Sequence, residues 1–143
     1  MKYLKILMAL LLFVTLSCAV CVADVLRCGD FEYEIADDGT AILGLYKGAE
    51  GADVVIPIEF DGHPIMAASD NPFWQTPIAS ITVAEDHPYL MVIDGVLYGK
   101  LDGKLIYYPP QAPAGVLVMP KGITSFGKHA LYNCTNIIDI RYE

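Results

Sequence analysis

Apolar residues in this chain alternate or fall in very short runs, and glycine and proline interrupt them every several residues. That pattern predicts strands and turns rather than helices. Phe31-Glu32-Tyr33-Glu34-Ile35 alternates at period two, Asp37-Asp38-Gly39 supplies a turn that tolerates positive φ, and residues 40–46 return as a second apolar strand. These make an opening β-hairpin. Val54-Val55-Ile56 is a short strand stopped by Pro57, which lacks the N–H a ladder interior needs. Asp61-Gly62 marks a tight turn. Asp94-Gly95 interrupts an apolar run, and Asp102-Gly103 separates Val96-Leu97-Tyr98 from Leu105-Ile106-Tyr107-Tyr108, a second hairpin. No window after residue 23 keeps a 3.6-residue stripe for three turns, so only single-turn helices are expected. One is capped by Asp70 or Asn71 with Pro72 at its first position, and the other spans 127–132.

Laid on itself, the sequence repeats. Val54-Val55-Ile56-Pro57 matches Leu117-Val118-Met119-Pro120, and Ile65, Ala68 and Phe73 match Ile123, Phe126 and Leu131 at an offset of 58. The turn at 59–64 absorbs a five-residue excess in the first copy. Leu131, Cys134, Ile137 and Ile140 then follow at three-residue intervals, echoed by Phe73, Ile78 and Ile81. A unit this small cannot cover both faces of its strands, so neighbouring units must stack and complete the core. The expected repeat core is Ile56, Ile65, Phe73, Ile78, Ile81, Ile123, Phe126, Leu131, Cys134, Ile137 and Ile140.

Four segments carry a family likeness. They are the text from Phe31 to Tyr46, the V-V-I-P…D-G-x-P-I phrase at 54–65, the I-D-G-V-L-Y…L-I-Y-Y-P phrase at 93–109, and I-T-S-F-G-K-H-A-L-Y-N-C-T-N-I-I-D-I at 123–140. Together they resemble the BspA-like leucine-rich repeats of secreted and cell-surface bacterial proteins. Departures are Phe126 for an aliphatic residue, Leu131 for phenylalanine, and Ala67-Ala68-Ser69 in place of an isoleucine-glycine pair. The resemblance implies a mainly β, short leucine-rich-repeat solenoid, with an N-terminal hairpin cap at 24–52 and repeats at 53–143. It also implies a non-catalytic module that binds a host, matrix or cell-surface protein.

Composition narrows the partners. Of 143 residues, 55% are hydrophobic and 18% charged, which excludes a disordered polymer. Lys2 and Lys5 precede an apolar run from Ile6 to Leu16, and Cys21-Val22-Ala23 ends in a small-x-small pattern, so residues 1–23 read as an export signal cleaved after Ala23. Two alternatives are an uncleaved membrane span over 6–23 and acylation at Cys18 or Cys21. Cleavage leaves 7 basic against 17 acidic residues, a net charge of −10. Such a chain does not attract nucleic acid or, once cleaved, an anionic membrane surface. It would be secreted with Cys28 and Cys134 as its cysteines, read as two separate thiols, with a disulfide as the alternative.

Chemistry-bearing residues are sparse. His63, His87 and His129 read as exposed turn residues, and Asp37-Asp38 and Glu85-Asp86 as solvated turns, so no catalytic, metal or cofactor site is expected. Trp74, the one tryptophan, follows the inward Phe73, and one of the adjacent Tyr107 and Tyr108 should face solvent. These three form the expected binding surface. Coplanar Trp74 and Tyr107 or Tyr108 rings would instead mark a carbohydrate-binding module. A further reading is a truncated piece of a longer surface repeat protein. Strand 137–143 leaves an edge that invites self-association.

Overall fold

The computed structural model describes residues 24–143. The expected export signal at 1–23, with Cys18 and Cys21, lies outside the described residues. Thirteen short strands make up the fold: β1 (Leu26–Cys28), β2 (Phe31–Ile35), β3 (Ala41–Tyr46), β4 (Asp53–Ile56), β5 (Glu59–Phe60), β6 (His63–Ala68), β7 (Ser80–Val83), β8 (Leu90–Ile93), β9 (Val96–Gly99), β10 (Lys104–Tyr107), β11 (Gly115–Met119), β12 (Ser125–Phe126) and β13 (Ile137–Tyr142).

The turn chemistry falls where the sequence puts it. Asp61-Gly62 and Asp94-Gly95 adopt positive φ at both residues, which closes the β5–β6 and β8–β9 hairpins. The five-residue excess of the first copy is the β5–β6 hairpin, and it delivers Phe60 into the core.

Pairing shows one topology used twice. In residues 26–83, β1, β2 and β3 form an antiparallel meander, β6 joins β3 in parallel, and β4 pairs with β7 in parallel. In residues 90–142, β8, β9 and β10 form the same meander, β12 joins β10 in parallel, and β11 pairs with β13 in parallel. Each copy contributes two coils, and the four coils make a β-solenoid. Backbone hydrogen bonds between coils recur in both copies. Ser69 N–H donates to Leu43 O and Gly127 N–H to Leu105 O, at 2.7 and 2.8 Å. Tyr46 donates to Pro72 and Tyr108 to Ala130, at 2.9 and 3.0 Å, and Gly51 to Pro77 and Gly115 to Asn136, at 2.8 and 3.1 Å. The duplication therefore includes both meanders, further than the sequence match at 54–81 and 117–140.

The core has two clusters that share one sheet. Phe31, Tyr33, Leu43, Ile56, Phe60, Ile65, Phe73 and Ile81 pack with Leu90, Leu97, Ile106 and Tyr107 of the second meander. The other face of that meander, Val96, Tyr98 and Leu105, packs with Tyr108, Leu117, Met119, Ile123 and Ala130. A ladder of aromatic rings joins the copies: Phe31–Tyr46, Tyr46–Phe73 and Phe73–Tyr107, with centroids 5.3, 5.5 and 5.0 Å apart. Tilted pairs at these separations each add about 0.5–1.5 kcal/mol beyond burial.

Several expectations are corrected. The described residues contain no helix. Asn71 Oδ1 accepts the Phe73 N–H at 2.8 Å, which is the first bond of a helix cap, but the chain closes only an Asx-turn there. Residues 127–132 are likewise turns. A separate hairpin cap at 24–52 is not supported, because β3 pairs with β6 and is itself the first coil. Of the expected repeat core, Ile56, Ile65, Phe73, Ile78, Ile81 and Ile123 are buried, whereas Leu131, Cys134, Ile137 and Ile140 are half-buried. Phe126 is exposed, because β12 is the outer strand of its sheet.

Candidate binding site

The three residues expected to share a surface do not. Trp74 is 37% exposed, but Tyr107 and Tyr108 are 2% and 8% exposed. The rule that one of two adjacent strand residues faces solvent fails because the second meander lies between the copies. A bulge at Ile106 turns Tyr107 into the first cluster, and Tyr108 enters the second. Burial pushes the pKa of both phenols up. Uninterrupted apolar runs at 96–98 and 105–108 were the available signal, since strands covered on both faces lose alternation.

Trp74 instead meets residues of the second copy. Its indole stacks on the His129 imidazole with centroids 5.4 Å apart and planes 22° apart. Tyr132 stands perpendicular to both rings, at 6.4 and 6.0 Å. The offset of 58 maps Trp74 onto Tyr132 and Asn71 onto His129, so this cluster joins equivalent positions of the two copies.

The buried Asn71 builds that contact. Its Nδ2 donates to the His129 carbonyl at 2.7 Å, across the copies. His129 adopts φ +62°, a left-handed conformation that few non-glycine residues take. Beside the rings opens a cleft of about 230 Å³ lined by Leu45, Ser69, Asp70, Asn71, Trp74, Lys128 and His129. Ser69 Oγ is enclosed there without a hydrogen-bond partner in the chain.

The other chemistry-bearing side chains have structural partners. His87, expected on an exposed turn, is buried. Its Nδ1 accepts the Tyr89 and Leu90 N–H groups at 3.2 and 3.0 Å, and its Nε2 lies 3.1 Å from the Pro57 carbonyl. These partners assign the neutral ring with the proton on Nε2. Desolvation holds its pKa below the ordinary histidine value. His63 Nδ1 lies 2.7 Å from the Gly39 carbonyl. Tyr33 donates to Asp61 at 2.6 Å, which together with burial pushes the phenol up to about 12. Asp38 accepts the Thr40 amide and hydroxyl, bonds that hold its carboxyl below the usual range. Cys28 and Cys134 are free thiols, and the Cys134 thiol donates to the Tyr108 carbonyl. Among the described residues, no three His, Cys, Asp or Glu side chains are grouped to hold a metal, and no helix is long and apolar enough to cross a membrane.

A second exposed feature is the outward side of the parallel strands. Val55 sits beside Thr82, and Val116 and Val118 sit beside Asp139 and Arg141. Val55 and Val118 occupy matching positions of the two copies and are 69% and 47% exposed.

No family model and no curated protein matches this sequence. Among solved structures, the pneumococcal vaccine antigen PcpA is similar, with a TM-score of 0.53 and 20% identity over 64% of this chain. The chain matches only 22% of the PcpA chain. A leucine-rich cell surface protein from Faecalibacterium prausnitzii A2-165 matches at a TM-score of 0.34 and 13% identity, over 84% of this chain and 76% of that one. The PcpA likeness is one of fold: both contain a solenoid of this type.

Proposed function

We propose that this chain is an exported, non-catalytic repeat module of BspA-like leucine-rich-repeat type that binds another protein outside the cell. The observation that carries the reading is the outward side of the parallel strands. Val55 and Val118, at matching repeat positions, leave large apolar side chains in water, where partner contact would remove them from it. The sequence resemblance and the fold shared with a pneumococcal antigen support it. Purified extracellular-matrix proteins immobilised as a panel test the proposal. Binding of the full chain to a member, weakened about tenfold or more by a Val55→Glu, Val118→Glu double substitution, is the expected result. Binding to none, or equal binding by the folded double variant, contradicts it.

The last coil favours self-association as a second property. Phe73, Ile78 and Ile81 of the first copy are covered by the second meander, whereas Leu131, Cys134, Ile137 and Ile140 stay half-buried and Ile138 and Tyr142 are exposed. A second copy would cover them. Light scattering that finds only monomer at high concentration rejects this.

A further inference from the structure

We propose that the cleft beside Trp74 binds a neutral pyranose ring, one sugar unit of a glycan. Trp74 and His129 form its aromatic wall, with Tyr132 packed edge-on against both rings, and Asp70 and Lys128 provide its polar contacts. The cleft shares no residue with the outward strand face, so the two proposals stand or fall separately.

Three observations converge on this place. First, Trp74, which lines the cleft, remains 37% exposed, and Tyr132 at the equivalent repeat position stands edge-on to it. A sugar presents a C–H face to such rings and its hydroxyls to the surroundings, which suits rings that combine an apolar face with a polar edge. Second, the backbone is strained to make the wall. His129 is held at φ +62° by the buried Asn71, and this lays its imidazole on the indole. Strain maintained by a buried polar clamp points to a use for the geometry it creates. Third, the polar groups at the cleft suit a neutral ligand. Asp70 can accept a pair of hydroxyls and Lys128 can donate to ring or hydroxyl oxygens. Asp70 also lies 4.0 Å from Lys104, whose ammonium is shared with Asp102 at 3.5 Å. An anion would meet the Asp70 carboxylate and a cation the two lysines, whereas an uncharged polyol opposes neither. At about 230 Å³ the cleft falls below the size of drug-binding pockets, which fits one ring rather than an extended chain.

Trp74 is the only tryptophan of the chain, so its emission reports on this site alone. The probes are the methyl glycosides of glucose, galactose, mannose and N-acetylglucosamine, with glucuronate and glucosamine as charged counterparts, titrated into the full chain. The expected result is a saturable emission change with at least one neutral glycoside and weaker binding of both charged sugars. Asp70→Asn and Lys128→Gln should each weaken it about tenfold, the effect of one lost hydrogen bond, while the emission of the free protein stays unchanged. Trp74→Ala, followed by calorimetry, should abolish binding. The proposal is overturned by any of three results. These are no saturable change with any neutral glycoside at about 100 mM, a range that reaches the weakest specific single-ring sites, binding of a charged sugar as tight as its neutral parent, or unaltered binding by folded Asp70→Asn and Lys128→Gln. Emission changes that arise only with a matrix protein would assign the cleft to protein recognition and also overturn it.

Discussion

Asn71 satisfies two backbone groups at once, the Phe73 N–H of its own turn and the His129 carbonyl of the other copy. Asn71→Ala leaves both without their partner in a buried place, and a loss of about 2–4 kcal/mol is expected from a denaturant midpoint. Asn71→Asp keeps the acceptor for the Phe73 N–H, but only its protonated carboxyl can also donate to the His129 carbonyl, so its stability relative to wild type should improve as pH falls to where the carboxyl is neutral. His87 sets a pH dependence. Its folded pKa lies below the unfolded value of 6.5, so the unfolded chain binds the extra proton as pH falls through that range. The His87 contribution is complete above about 6.5 and is progressively lost below it. Thermal melts from pH 7.5 to 5 should show a falling midpoint, and His87→Gln, which keeps an acceptor but cannot charge, should flatten the slope; equal slopes contradict the assignment. Sequence could not place His87 inside. A histidine between acidic and proline neighbours reads as a turn, and only the fold reveals the three backbone groups it serves. The offset of 58 aligns Trp74 with Tyr132 and Asn71 with His129, but the sequence grouped Trp74 with Tyr107 and Tyr108 instead, because equivalence between copies does not show which positions the stacked coils bring into contact.

Among elements, the second meander decides the architecture. It is covered on one face by the first copy and on the other by its own coils. Leu97→Ala removes a fully buried side chain at that junction and is expected to cost about 2–5 kcal/mol in chemical denaturation. The tight coil contacts make a sharper comparison. A Cβ on Gly127 would collide with the Asp70 carbonyl oxygen, whereas one on Gly115 meets nothing within 4 Å. Gly127→Ala should therefore destabilise by at least about 1 kcal/mol, and Gly115→Ala should be close to neutral in the same assay. Hairpin positions were readable from Asp-Gly pairs because positive φ is a local demand. The nature of the 71–76 and 127–132 segments was not. An N-cap and an Asx-turn begin with the same hydrogen bond, and the path of the chain beyond that bond depends on the coil it must rejoin.

At the level of the whole molecule, 120 described residues are two copies of one topology, stacked so that the second copy's meander closes the first copy's end. The strand repeat was legible as V-V-I-P against L-V-M-P. The meander repeat was not, because residues 31–35 and 96–99 share a role but little sequence: the first alternates with Glu32 and Glu34, and the second is apolar throughout. Because one hydrophobic cluster spans the junction, both copies should unfold together. Trp74 emission and backbone circular dichroism should give one coincident transition, and two separated transitions would contradict this.

The duplication itself is tested most directly by scalar couplings across hydrogen bonds, measured by NMR on the labelled chain. Three matched pairs are expected: Ser69 to Leu43 with Gly127 to Leu105, Tyr46 to Pro72 with Tyr108 to Ala130, and Gly51 to Pro77 with Gly115 to Asn136. All six couplings present would establish two equivalent coil stacks. A pair seen in one copy and absent or redirected in the other would contradict the claim that a single repeated topology builds this molecule.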